Sequence, residues 1–169
     1  MNSVRPRLAV ALAVVLLLHL TVLADIRLAG VRPDAPLLIA IVAGLAAGPE
    51  RGAIVGFVAG LLADLFLPSP FGLSALVYSL VGFAIGSLQT GILRNAWWIP
   101  VVTAFAGSAA GIVLYAALGA MVGETGMVGP RLPLIAVLVG LMNALLAPAA
   151  ARLVSWAVRA GSPERSYAL

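Results

Sequence analysis

The chain has 169 residues, of which 63% are hydrophobic and only 9% are charged. Soluble domains are typically about 45–50% apolar and about 25% charged, so a water-soluble fold of this size could not bury so much apolar surface. The net charge of +4 comes from scattered arginines, which argues against nucleic-acid binding, and the lack of cysteine excludes disulfides and thiolate sites. We therefore expect an all-α protein in lipid, with residues 1–169 forming one integral membrane domain.

Six apolar segments are long enough, or nearly so, to form membrane-spanning helices. They run over Leu8–Ala24, Ala35–Gly48, Ala53–Leu67, Phe71–Leu88, Trp97–Val122 and Leu132–Val158. The first resembles a signal peptide, but its apolar run exceeds the usual length of about 7–15 residues, which favours a transmembrane helix. The second and third are short for a full span, so a five-span layout with a re-entrant hairpin stays open.

The arginines predict the orientation of this bundle. With the N-terminus inside, seven arginines lie at cytoplasmic ends and three lie outside. The inside set is Arg5, Arg7, Arg51, Arg94, Arg152, Arg159 and Arg165, and the outside set is Arg27, Arg32 and Arg131. Because cytoplasmic loops carry the excess of positive charge, the pattern favours six spans with both termini cytoplasmic.

The third segment carries a row of small residues at helical spacing. Gly52, Gly56, Gly60 and Asp64 recur every four residues, which places them on one slanting face of a helix. Small residues in such a row allow another helix backbone to approach closely. We expect a packing face here, either within this protein or towards a partner helix.

A sharp turn follows Asp64 and contains Pro68, Ser69, Pro70 and Gly72. Ser69 before Pro70 is typical of an N-cap followed by the first helical residue, here of the fourth segment. The free amides of that helix start would lie beside the Asp64 carboxylate. We expect Asp64 to join the two helices structurally, with partner binding and proton or ion handling as open alternatives.

Other polar residues lie inside the apolar segments. His19, Tyr78 and Asn143 are the candidates for a polar cavity, and His19 lies at a depth similar to that of Asp64, where the two could pair. A lone histidine among leucines is more often a hydrogen-bonding residue of helix packing than a proton relay. No nucleophile elbow, zinc-protease motif, phosphate-binding loop or close carboxylate pair occurs, so we expect neither an enzyme nor a bound cofactor or metal.

The central block from Arg32 to Gly86 resembles the MreD family of bacterial rod shape-determining membrane proteins. The resemblance rests on Pro33 and Pro36 at the start of the second segment and on the motif G-F-x-x-G-L-x-x-D that ends at Asp64. It also includes the P-x-P-x-G turn and the A-L-V-Y sequence that ends at Tyr78.

The resemblance implies a non-catalytic subunit of the peptidoglycan elongation machinery in the bacterial plasma membrane. Its implied partners are an MreC-like single-span protein, MreB, a SEDS glycosyltransferase, a class B penicillin-binding protein and the lipid bilayer. The family is similar in fold to the S components of energy-coupling-factor transporters. The glycine row and the Asp64 turn are then candidates for the surface that faces MreC, or for a vestigial pocket.

Two other functions stay open. A substrate-binding S component of a vitamin transporter is the alternative, since Ala9 and Ala13 have the A-x-x-x-A spacing expected for contact with the coupling subunit. A general membrane scaffold or lipid-handling protein is the third class.

Overall fold

The structure, a computed structural model, describes residues 27–66, 70–88, 98–124, 126 and 128–159. These residues form helices α1 (Ala35–Ala47), α2 (Pro49–Asp64), α3 (Leu73–Leu88), α4 (Ile99–Met121) and α5 (Leu132–Arg159). Within these ranges the only β-type pairing is an isolated bridge between Leu28 and Val31. The prediction of an all-α chain is confirmed for the described part, and the predicted first span, Leu8–Ala24, lies outside it.

Helix α1 lies at the centre of the bundle. Its first ten residues, 35–44, are all buried, and it contacts each of the other four helices. It begins after Asp34, whose side chain accepts a hydrogen bond from the Leu37 amide, and it ends at Gly48, whose φ is +89°. A helix buried on all sides must be apolar all round, which explains why its sequence shows no polar face.

Helices α1, α2 and α3 cross with their backbones in contact at three glycines, Gly44, Gly52 and Gly82. A Cβ atom added to Gly52 would lie 2.6 Å from the Cα of Gly44 and against the carbonyl oxygen of Gly82. Side chains of any size would separate the helices, so the crossing depends on glycine at these positions.

Two apolar clusters fix the remaining helices around α1. The first contains Ala35, Leu38, Ile39, Val42, Ala43, Val55, Ala104, Ala147, Ala150 and Val154. The second contains Leu37, Ala40, Ile41, Ala63, Val77, Tyr78 and Val81. Helix α1 supplies residues to both clusters, α5 contributes to the first and α3 to the second, and α4 packs against both.

The helices differ in length. Among the described residues, Ile99–Met121 and Leu132–Ala157 are long and apolar enough to cross a membrane, while α1 and α3 are shorter apolar helices. At 1.5 Å per residue, α1 is about 20 Å long, α2 and α3 about 24 Å, α4 about 35 Å and α5 about 42 Å. Large apolar side chains such as Phe57, Phe83 and Leu145 face outwards. The bundle therefore consists of three short helices and two long ones.

Two predicted helix starts are wrong. The third segment begins at Pro49 and not at Ala53, because Pro49 and Glu50 suit the first turn of a helix better than the loop that we expected. The fourth segment begins at Leu73, so Pro70 precedes the helix and is not its first residue. The third segment ends at Asp64, three residues before the predicted Leu67. The other described boundaries lie within two residues of the prediction.

Candidate functional site

A group of buried and part-buried polar side chains joins four helices at the start of α1. We call Asp34, Tyr78, Ser108 and Asn143 the Asp34 cluster. The Tyr78 hydroxyl donates to Asp34 Oδ2 at 2.7 Å, and Asn143 Nδ2 donates to the Asp34 carbonyl oxygen at 3.0 Å and to Ser108 Oγ at 2.8 Å. The Asp34 amide donates back to Asn143 Oδ1 at 3.2 Å. The cluster thus connects the start of α1 with α3, α4 and α5.

The local sequence places Asp34 at this position. Aspartate is a favoured N-cap residue, and its Oδ1 accepts the Leu37 amide at 3.0 Å. Pro36 follows in the first turn, where a missing N–H does no harm. The Asp34 side chain also lies at the positive end of the α1 dipole, where an acceptor oxygen is favoured.

A second carboxylate, Asp64, caps a helix to which it does not belong. It ends α2, is only 4% exposed, and accepts hydrogen bonds from the first amides of α3. Gly72 N donates to Oδ2 at 2.8 Å, Ser74 N to Oδ1 at 3.3 Å and Ala75 N to Oδ2 at 3.4 Å. These amides have no partner inside α3, so Asp64 supplies the acceptor that the helix start lacks. We call this arrangement the Asp64 cap.

The turn between α2 and α3 is only partly described. Pro68 and Ser69 lie outside the described residues, while Pro70 and Gly72 lie within them. Gly72 has a φ of +95°, a conformation that residues with a Cβ rarely adopt. Because Gly72 also donates the shortest hydrogen bond to Asp64, its backbone conformation determines the geometry of the cap.

The glycine row of α2 faces α3 of the same chain. A Cβ atom on Gly56 would lie against the Tyr78 carbonyl oxygen, and one on Gly60 would lie 2.5 Å from the Cα of Ala75. A partner helix could not reach these glycines without displacing α3. Of the two alternatives that the sequence leaves open for this row, the geometry supports packing within this protein.

The three residues predicted to line a polar cavity have different outcomes in the structure. Tyr78 and Asn143 lie in the same cluster, both bonded to Asp34. His19 lies outside the described residues, so its predicted pairing with Asp64 stays a prediction. Sequence reasoning missed Asp34, which links Tyr78 and Asn143, because it follows the loop sequence V-R-P. The available signal was an aspartate directly before Ala35-Pro36 and an apolar run, which is typical of a helix N-cap.

The arrangement is suited to joining helices and offers little for chemistry. Across the described residues, no group of three or more histidine, cysteine, aspartate or glutamate side chains could hold a metal ion. Asp34 and Asp64 both accept hydrogen bonds from hydroxyl or amide groups that fix helix positions. The fold and these contacts define a helical membrane protein whose buried polar groups join its helices.

The comparisons agree with this class. A family model described as rod shape-determining protein MreD matches residues 4–154. The chain belongs to the MreD family, a family of bacterial membrane proteins that determine cell shape. Searches of curated proteins and of solved structures returned no match. The likeness to transporter S components is thus still a prediction.

Proposed function

We propose that this protein is a non-catalytic membrane subunit of the complex that elongates peptidoglycan and maintains rod shape. The observation that carries the proposal is the MreD family match over residues 4–154. The structure supports it, because the buried polar side chains of the described residues hold helices together. A bundle of this kind provides a scaffold for other membrane proteins.

The proposed direct partner is an MreC-like single-span protein, in a complex that also contains MreB, a SEDS glycosyltransferase and a class B penicillin-binding protein. Since the glycine row is occupied by α3, the partner helix must contact outward apolar side chains. Each of the four helices around α1 carries such an exposed apolar side chain. Phe57 on α2 is 51% exposed, Phe83 on α3 50%, Val113 on α4 49% and Leu145 on α5 82%.

The experiment places a photo-crosslinking amino acid at Phe57, Phe83, Val113 or Leu145 in cells that produce an MreC-like partner. A single transmembrane helix can cover only one or two outer helices, so we expect strong crosslinks at one or two of the four positions. An unrelated single-span protein of equal abundance is the control. Absence of crosslinks at all four positions, together with no co-purification of the partner, would contradict the proposal.

We further propose a multi-pass plasma-membrane protein with six spans and both termini in the cytoplasm. The seven-to-three distribution of arginines supports this orientation. The alternative function, a vitamin-transporter S component, receives no support from the comparisons, and we do not pursue it.

A further inference from the structure

The outward face of α2 and α3 is apolar, but it is short. Its exposed side chains include Ile54, Phe57 and Leu65 on α2 and Leu76, Leu80 and Phe83 on α3, and we call these six the short face. The exposed charged residues Glu50 and Arg51 end this face on α2. From Arg51 to Phe66, the last exposed apolar residue described after α2, the chain advances about 22 Å at the helical rise.

Hydrogen bonds mark a common level on the helices, from which lengths can be compared. Tyr78 and Asn143 both donate to Asp34. Asn143 also donates to Ser108, so the same level is marked on α3, α4 and α5. Helix α2 reaches this level at Gly56, where an added Cβ atom would lie against the Tyr78 carbonyl oxygen.

Measured from this level, the apolar surface is shorter on α2 than on α4 and α5. On α2, the first charged residue towards the end of α1 is Arg51, about 8 Å away, and Phe66 lies about 15 Å away in the opposite direction. On α5, the first charged residue towards the end of α1 is Arg152, about 14 Å away. On α4, the apolar sequence continues in the opposite direction to Met121, about 20 Å away. The α4–α5 side is therefore about 10 Å taller than the short face.

A bilayer of ordinary thickness fits only the taller side. Its hydrocarbon core is about 30 Å thick, which matches α4 and α5 but exceeds the apolar height of α2. Tilting α2 would shorten its projection further. Snorkelling of the Arg51 side chain extends one end only, and the neighbouring Glu50 has a shorter side chain that cannot reach as far. A short apolar segment in contact with lipid is accommodated when the bilayer around it becomes thinner.

We propose that lipid covers the short face in a locally thinned bilayer, and that this face binds phospholipids with shorter acyl chains than the α4–α5 side does. The two sides of one molecule thus face bilayer of different thickness. The dimensions of the face favour this occupant, because shorter acyl chains reduce the mismatch without any change in the packing of α2 and α3. The inference concerns the bundle itself and does not depend on the proposed function.

The test uses tryptophan fluorescence of the purified full chain in phosphatidylcholine vesicles, without any partner. The three natural tryptophans, Trp97, Trp98 and Trp156, are first replaced by phenylalanine. Phe57→Trp and Phe83→Trp then probe the short face, and Leu145→Trp on α5 is the matched control. All three positions lie within about 8 Å of the common level, so depth does not separate them.

Brominated dioleoyl phosphatidylcholine quenches a tryptophan that it contacts. It is diluted with unbrominated dioleoyl or with the shorter dimyristoleoyl phosphatidylcholine, and the recovered fluorescence measures how well each lipid displaces it. We expect the shorter lipid to displace it about twofold better than the longer one at Phe57→Trp and Phe83→Trp, and no better at Leu145→Trp.

Two results would overturn the proposal. One is an equal chain-length preference at the short face and at Leu145→Trp. The other is a lack of quenching at both short-face positions, which would mean that protein covers them, either another segment of this chain or a second copy. Melting temperatures equal to that of the tryptophan-free parent show that a variant is folded, and Phe83→Trp decides the question if Phe57→Trp does not fold.

Discussion

At the level of single residues, Asp64 stabilises the start of α3 from a different helix. Removing its carboxylate leaves the amides of Gly72, Ser74 and Ala75 without an acceptor in a buried place. Such a loss costs about 1–3 kcal/mol. We expect Asp64→Ala to lower the melting temperature in detergent clearly and Asp64→Asn, which keeps one acceptor oxygen, to lower it less.

Glu124→Ala is the matched control for this prediction, because Glu124 lies exposed in the α4–α5 loop. Equal melting temperatures for Asp64→Ala and Glu124→Ala would show that the cap contributes nothing to stability.

The Tyr78 hydroxyl is the one side-chain donor from α3 to the Asp34 carboxylate among the described contacts. A hydrogen bond to a charged acceptor contributes about 1.5–3 kcal/mol, so Tyr78→Phe should lower the free energy of unfolding by an amount in that range. Tyr115→Phe is the control, because the Tyr115 hydroxyl has no hydrogen bond in the described part of the chain. Denaturation with increasing mole fractions of SDS measures both variants, and a smaller loss for Tyr78→Phe than for Tyr115→Phe would refute the assignment.

At the level of secondary structure, the α2–α3 pair depends on close backbone approach. A Cβ atom on Gly60 would lie 2.5 Å from backbone atoms of Ser74 and Ala75, which cannot move aside as a flexible side chain could. Overpacking of this kind typically costs about 1–3 kcal/mol. We therefore expect Gly60→Ala to lower the free energy of unfolding by an amount in that range or larger.

Gly129→Ala provides the comparison for Gly60→Ala, because an added Cβ would meet nothing within 4 Å there. The two variants can be ranked by the fraction of monodisperse protein that survives heating. Equal survival would mean that α2 and α3 do not pack as described.

The helices themselves could be predicted from the sequence, but the contacts between them could not. Apolar runs between proline, glycine and charged residues fix where α4 and α5 begin and end. The start of α2 was misplaced because Pro49-Glu50-Arg51 is equally compatible with a turn and with a first helical turn. Asn143 stands out within an apolar helix, yet its partner Asp34 lies 109 residues away in the chain, and no local pattern encodes that pairing.

The same limit applies to the glycine row of α2. Its spacing identifies a packing face, but spacing alone cannot distinguish a helix of the same chain from a partner helix. Only the position of α3 decides between the two, and that position depends on the Asp64 cap and on the glycines of α3.

At the level of the whole molecule, the arginine distribution predicts that both ends of the chain lie on the same side of the membrane. We expect Asn2→Cys and Ser162→Cys to be labelled from the cytoplasmic face and Val128→Cys from the opposite face. Right-side-out and inverted membrane vesicles allow this comparison. Labelling of the two ends from opposite faces would contradict the six-span layout.

The crossing of α1, α2 and α3 at Gly44, Gly52 and Gly82 also restricts how this sequence can evolve. Each of the three positions faces main-chain atoms of a neighbouring helix, so that even a methyl group has no room. In a saturation-mutagenesis library selected for folded protein, these three codons should accept no other amino acid, while the codons of outward-facing residues such as Val58 and Leu80 exchange freely. Drift in the lipid-facing sequence can therefore be extensive while the crossing point stays unchanged.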